Sequence, residues 1–293
     1  MKNSKELCHP LSMPFACLSV DSRETEIPGD SRAHYFAELF LLREGALHVT
    51  LEQEEITLSP GMALMVCPGA RHQVRGEGSL PAKFDLIRLD PDRIPGQVAY
   101  APPLKVIFYL AHRDHLPMVF TPEETAELGL SDAASRCIRE TAERRFGFDL
   151  STLSVLSMAC LALVRFWLSR GLNLDAAVPP EDPLCSLTGY IQQHLRDNLR
   201  VEELAARCGL SYPWFAKKFR EIYSVSCKDY IEQIRVAQVE NYLLFTDMDL
   251  SRISEATGYA DCSHMIKNFK RMKEITPGQY RLKHRQNLPA CDG

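Results

Sequence analysis

The apolar and polar positions divide the chain into stretches of different period. From about Ser12 to Leu89 the apolar residues come in short runs, FAELFLL, ALHVTLE, MALMVC and KFDLIRL. Turn signals separate them at Pro28-Gly29-Asp30, Glu44-Gly45, Ser59-Pro60-Gly61, Pro68-Gly69 and Gly76-Glu77-Gly78. Short strands at this spacing predict a β-sandwich or barrel. One more strand is expected in LKVIFYLAH, after Pro102-Pro103. At Thr121 the period changes. Thr-Pro-Glu-Glu supplies an N-cap, a proline at the first helical position and a glutamate at N3, and helical spacing then runs to about Phe146. A second helix is expected from near Ser151 to Gly171. Leu153 to Leu168 is apolar almost all round, so this helix needs cover on several faces, from its own domain and from a second copy of the chain.

Residues 173–183, NLDAAVPPEDP, are polar and proline-rich, which suits a semi-rigid linker. The expected organisation is therefore α+β with two domains, a β-rich domain with appended helices over 1–172 and an all-α domain over 184–293. A length of 293 residues fits that number. From Leu184 onward everything reads as helix, with breaks at Gly209, Ser224, Asp247, Gly258 and Thr276.

The all-α part contains a weak internal repeat. In VEELAARCGLSYPWFAKKF, Leu204 and Ala205 lie on a helix ending at Gly209, Leu210 plugs the turn, and Ser211 is an N-cap. Phe215 and Phe219 then sit at i and i+4 on the next helix. Two helices cross closely only over a small residue, the tight turn wants a residue that accepts positive φ, and large apolar groups must pin the second helix so that its other face stays free. LSRISEATGYADCSHMIKNFKR repeats the order with Ile253, Ser254, Gly258, Tyr259, an Asp261 cap, Met265 and Phe269, and with a turn one residue longer. Between the copies, Lys228 to Phe245 reads as one connecting helix.

On these residues the segment from Val201 to Arg281 resembles the DNA-binding domain of the AraC/XylS family of bacterial regulators. The tail NFKRMKEITPGQYR is similar to the family's F-K-x-x-x-G-x-T-P-x-x-Y-R signature. Three positions depart from the pattern: Glu274 stands where glycine is usual, Met265 where phenylalanine is usual, and Ser254 where alanine is usual. The resemblance implies two helix-turn-helix units whose second helices enter the major groove of double-stranded DNA. With Phe215 and Phe219 turned inward, the outward positions are Tyr212, Pro213, Ala216 and Lys217, with Trp214 and Lys218 toward the edges. The second reading helix offers Ser263, His264 and Lys267, with Asn268 nearby. Lys217 and Lys267 occupy equivalent places, and each meets either a guanine or a phosphate, the latter favoured because lysine lacks the bidentate fork of arginine. Trp214 either reads DNA or covers the seam between helices.

Charge changes the picture less than its total suggests. The net charge of −4 argues against a polyanionic partner, but the chain up to Pro183 holds 18 Lys and Arg against 25 Asp and Glu, and the remainder 16 against 13. The helical part is thus mildly basic, and the distribution of charge on its surface decides binding. Ten cysteines are scattered with no C-x-x-C, which fits free thiols in a reducing compartment. The N-terminal MKNSKELCHP lacks a signal-type apolar core, and the run Val155 to Leu168 is too short to span a bilayer and contains Arg165. A cytoplasmic protein with no membrane partner is expected.

The β-rich part resembles a cupin. In HYFAELFLLREG, His34, Glu38 and Gly45 match the later part of the cupin metal motif, H-x-H-x(3,4)-E-x6-G, with Arg32 in place of its first histidine. PGARH puts His72 where the second motif has its histidine, one residue closer to the proline. His34 and Glu38 have equal parity, so on one strand both point into the barrel. One reading is a transition metal held by His34, Glu38 and His72. The favoured reading is a degenerate barrel in which Arg32, His34, Glu38 and His72 line a pocket for a small organic effector, with no metal or other cofactor. Arg32 would suit a carboxylate or sugar acid. A third reading makes His34 and His72 structural.

The resemblance implies a homodimer formed through the helices from Thr121 to Gly171, with effector binding felt through the Pro179-Pro180 linker, and RNA polymerase as a further partner. The expected function is transcription regulation, as activator or repressor, with no enzymatic activity. The competing classes are a metal-dependent cupin enzyme fused to a DNA-binding tail, and a ligand-blind DNA-binding protein whose barrel only dimerises.

Overall fold

The computed structural model describes residues 13–24, 34–76, 81–94, 102–175, 184, 187–223 and 225–285. Two compact units make up the chain, one ending at Glu181 and one with its main body from Asp182 to Gly293. Arg32 and residues 176–183, which include Pro179-Pro180, lie outside the described residues.

The described residues of the first unit form strands β1 (Phe15–Asp21), β2 (Ala37–Glu44), β3 (Leu47–Leu51), β4 (Glu54–Leu58), β5 (Ala63–Val66), β6 (His72–Gly76), β7 (Lys83–Leu89) and β8 (Val119–Phe120). These pair antiparallel in two sheets, β1-β7-β2-β5-β8 and β4-β3-β6. The four expected strands are present in β2, β3, β5 and β7. In β2 and β7 the register sets Glu38 opposite Arg88, Phe40 opposite Leu86 and Leu42 opposite Phe84. That face of the larger sheet looks toward the smaller one, where the rings of Phe40 and His72 lie 6.4 Å apart. The opposite face, with Leu39, Leu41, Asp85 and Ile87, is covered by helix α3 (Leu130–Glu143): Arg43 pairs with Asp85 at 2.6 Å and reaches Ser135 Oγ at 3.0 Å. Covered on both sides, β2 is buried through its first six residues, which is why its sequence runs apolar instead of alternating.

LKVIFYLAH is helix α1 (Leu104–Arg113), not the expected strand. A continuous apolar run does not by itself separate a buried strand from a buried helix. Pro103 occupies the N-cap, and the buried Val106, Ile107, Leu110 and Ala111 recur at helical spacing. At Thr121 the capping box forms as expected, opening α2 (Pro122–Glu127): Thr121 Oγ1 accepts from Glu124 N at 3.2 Å, and Glu124 Oε2 accepts from Thr121 N at 3.1 Å. The helix does not run unbroken to Phe146, because Gly129, at φ +67°, separates α2 from α3.

Helix α4 (Phe148–Ser169) begins three residues before the expected Ser151. At 22 residues it is long and apolar enough to cross a membrane by length and composition, contrary to the expectation from Val155 to Leu168, a test that core helices of soluble proteins also pass. One side packs on α3, and Trp167 is buried against Phe108 with its Nε1 donating to Pro117 O at 2.8 Å. Leu150, Met158, Leu161 and Leu168 stay exposed.

The described residues of the second unit are helical throughout: α5 (Leu187–Gln193), α6 (Val201–Arg207), α7 (Tyr212–Tyr223), α8 (Cys227–Phe245), α9 (Leu250–Ala256), α10 (Cys262–Lys273) and α11 (Pro277–Arg285). The pairs α6–α7 and α9–α10 are the repeated units, and α8 is the connecting helix that packs against members of both.

Candidate functional site

In the first helix-turn-helix unit α7 is held by rings. Phe215 and Phe219 are fully buried, their centroids 5.6 Å apart, and Phe219 continues the stack to Tyr223 at 4.4 Å and to Tyr230 of α8 at 5.7 Å. Tyr223 Oη donates to Leu184 O at 2.8 Å. The turn is made by Gly209 at φ +67°, with open space where a Cβ would stand. No side chain caps α6, whose N-cap residue is Arg200.

In the second helix-turn-helix unit side-chain caps open both α9 and α10. Asp249 accepts from Arg252 N at 2.8 Å and Asp261 from His264 N at 2.7 Å. Met265 and Phe269 are fully buried in a core that includes Val239, Leu243, Ile253 and Tyr280. Polar links bind the end of α10 and α11 to α8: Lys273 Nζ lies 2.6 Å from Glu240 Oε2, and Tyr280 Oη donates to Glu240 Oε1 at 2.8 Å. Gly258, at φ +77°, makes the turn, and a Cβ there would come within 2.2 Å of Leu195 O. Glu274, where glycine is usual in this signature, adopts φ +64° at the C-cap of α10 and accepts strain that glycine would avoid.

Of the expected DNA-reading residues, Tyr212, Pro213, Trp214 and Lys217 are exposed on α7, while Ala216 and Lys218 are half-buried. Lys217 Nζ lies 5.8 Å from the centre of the Trp214 ring, so this tryptophan faces outward with a lysine over it and does not fill the seam. Ser263, His264 and Lys267 are exposed on α10. Asn268 is a correction: it is buried, and its Nδ2 donates to Glu232 Oε2 of α8 at 2.6 Å. Its angular position on the helix falls at the edge of the reading face, and the carboxylate on α8 draws it inward.

The barrel cluster forms between the two sheets. His34 precedes β2 instead of lying on it, yet its Nε2 lies 3.1 Å from Glu38 Oε2, and His72 Nε2 from β6 lies 2.8 Å from the same oxygen. Glu38 Oε1 accepts from Arg88 Nε at 2.5 Å, a residue that the motif did not flag and that only the β2–β7 register brings opposite Glu38. Burial works against the Glu38 charge, but His34, His72 and Arg88 together hold its carboxyl well below the usual carboxylate range. The four polar side chains thus engage one another.

The ring nitrogens test whether a cation belongs there. His34 Nδ1 lies 2.9 Å from Phe36 O and His72 Nδ1 3.2 Å from Ala70 O. A carbonyl only accepts, so each Nδ1 carries a proton and each ring turns its Nε2 toward Glu38 Oε2. His34 Nε2 is buried without a hydrogen bond. Three donor atoms within 4.8 Å of one another, with both outer nitrogens fixed by backbone carbonyls, fit a divalent transition metal.

The comparisons with known proteins agree with both units. A helix-turn-helix domain family matches residues 204–283 and a cupin domain family matches residues 22–88. The regulatory protein PocR of Salmonella typhimurium is 26% identical over 109 residues, 37% of this chain and 36% of that protein. The MmsAB operon regulatory protein of Pseudomonas aeruginosa is 26% identical over 150 residues, 51% of this chain and 46% of that protein. The chain thus spans less than half the length of these two relatives. A solved DNA-binding domain of AdpA in complex with a target DNA is 25% identical, with a TM-score of 0.37, and covers 38% of this chain and 99% of that one. The chain thus carries a cupin domain followed by a helix-turn-helix domain, the two parts and the order expected from its resemblance to the AraC/XylS family.

Proposed function

We propose that the chain regulates transcription by binding double-stranded DNA through the outward faces of α7 and α10. The supporting observation is that both helices are anchored by buried apolar residues, Phe215 and Phe219 in one and Met265 and Phe269 in the other, while a lysine stands exposed at the equivalent place of each. Lys217→Ala is expected to weaken binding to a duplex selected by the full chain from a random-sequence pool. If Lys217 meets a phosphate, the salt dependence should also flatten by about one unit of slope. Affinity unchanged throughout a salt titration would remove Lys217 from the interface.

In this reading the barrel senses a small-molecule effector, and the exposed apolar face of α4 is covered by a second copy of the chain, so that a dimer reads paired half-sites. Light scattering is expected to give twice the chain mass at micromolar concentration. A monomer with and without DNA would defeat the dimer.

A second reading follows from the buried, unbonded His34 Nε2. A divalent transition metal would be held by His34 Nε2, His72 Nε2 and Glu38 Oε2, with Arg88 fixing the other carboxylate oxygen. The metal would supply a Lewis acid for an oxygen-bearing ligand. Metal analysis of the purified full chain is expected to find a stoichiometric transition metal that is lost in His72→Ala. A metal-free protein that also takes up none on dialysis against zinc or manganese would leave the organic-effector reading alone.

A further inference from the structure

His264 is, with Ser263, exposed in the first turn of α10, where a reading helix meets base edges, and one of its ring nitrogens is already committed. The commitment starts from Glu232, buried on α8, with Arg235 Nη1 3.8 Å from its Oε1. Glu232 Oε2 accepts from Asn268 Nδ2 at 2.6 Å. A carboxylate only accepts, so the amide group of Asn268 must turn its NH2 to Glu232, which fixes the side-chain orientation. The same Nδ2 lies 3.0 Å from His264 Nε2 and offers its second hydrogen there. Nε2 must then present a lone pair, and the ring proton sits on Nδ1. Tyr259 stands edge-on to the ring at 5.5 Å and 86°, which limits its rotation. Nδ1 has no hydrogen-bond partner among the described residues, and the side chain is open to solvent.

We propose that Asn268 and Glu232 hold His264 in the Nδ1–H tautomer, so that α10 presents a fixed hydrogen-bond donor to an acceptor on duplex DNA, a purine N7 or a phosphate oxygen. This role rests on the DNA-binding reading above and assigns Asn268 and Glu232 as positioning residues for it. An unconstrained surface histidine exchanges tautomers and gives a groove contact that is sometimes donor and sometimes acceptor. Here the buried carboxylate removes that ambiguity, so the polarity of one contact on the DNA is set from α8.

Two measurements test it. In the long-range 1H–15N spectrum of the 15N-labelled full chain, with the His264 signals assigned by their loss in His264→Gln, wild type should show a protonated Nδ1 and a bare Nε2. Asn268→Ala should shift the pattern toward mixed tautomers, which a purely structural role for Asn268 would not do. On a duplex selected by the full chain from a random-sequence pool, His264→Ala should lose about three- to tenfold in affinity, the worth of one hydrogen bond. Replacing purines singly by 7-deaza analogues should weaken wild type but not His264→Ala at one position if N7 is the acceptor. Single methylphosphonate substitutions should do so if the acceptor is a phosphate.

If Asn268→Ala does not fold, the wild-type spectrum and His264→Ala still decide. An Nε2–H tautomer in wild type, or unchanged affinity in His264→Ala, overturns the proposal. If the full chain selects no duplex, the DNA-binding reading falls and takes this role with it, whereas the spectrum still reports the tautomer.

Discussion

In the first helix-turn-helix unit, α7 is pinned by a run of rings, Phe215, Phe219, Tyr223 and Tyr230, and its turn at Gly209 faces open space. In the second, α10 has an aspartate cap at its start, a buried amide-to-carboxylate link from Asn268 to Glu232 at its middle, and Glu240 at its end. Its turn is wedged against the backbone at Leu195. Apolar burial fixes where a helix lies but is indifferent to direction, whereas hydrogen bonds between buried groups also fix the angle at which its side chains leave. The two units therefore share the order of parts but differ in balance: the first rests on stacked rings with one buried hydrogen bond, Tyr223 to Leu184, and the second on several polar links.

The largest expected effect separates the two turns. Gly258→Ala forces a Cβ to within 2.2 Å of Leu195 O at a backbone conformation of φ +77°, and should cost about 2–4 kcal/mol in urea unfolding of the full chain. Gly209→Ala meets only the conformational penalty at φ +67° and should cost about 1–2 kcal/mol. Equal losses at the two sites would break the comparison. The smallest effect has the opposite sign. Glu274→Gly relieves a left-handed residue at φ +64° and should stabilise the chain by about 1 kcal/mol, seen as a raised urea midpoint. A lowered midpoint would mean that the Glu274 side chain contributes more than its backbone strain takes away.

Local signals in the sequence carried much of the fold and less of the site. The turn glycines, the Asp261 cap, the Thr121 capping box and the inward aromatics all act within a few residues of their own position, so the sequence pattern reveals them. LKVIFYLAH misled because it holds few polar positions to mark a period. The strand at Glu54–Leu58 went unmarked because Glu54 and Glu55 face solvent. At the cluster, His34, Glu38 and His72 were legible from motif spacing, and the structure brings them together. Arg88 was not legible, because its place beside Glu38 depends on the register of two strands 50 residues apart in sequence. Asn268 failed for a similar reason: its partner Glu232 lies 36 residues earlier on another helix. Contacts of this length are set by tertiary packing, which no local period encodes.

The hydrogen bond from Tyr223 to Leu184 has a mechanical consequence. Leu184 is fully buried, and its carbonyl is tied to the last turn of α7 before α5 begins at Leu187. Residue 184 is therefore a fixed point at which the second unit holds its own chain against α7. A displacement of that carbonyl would be felt first at the last turn of the ring-anchored α7.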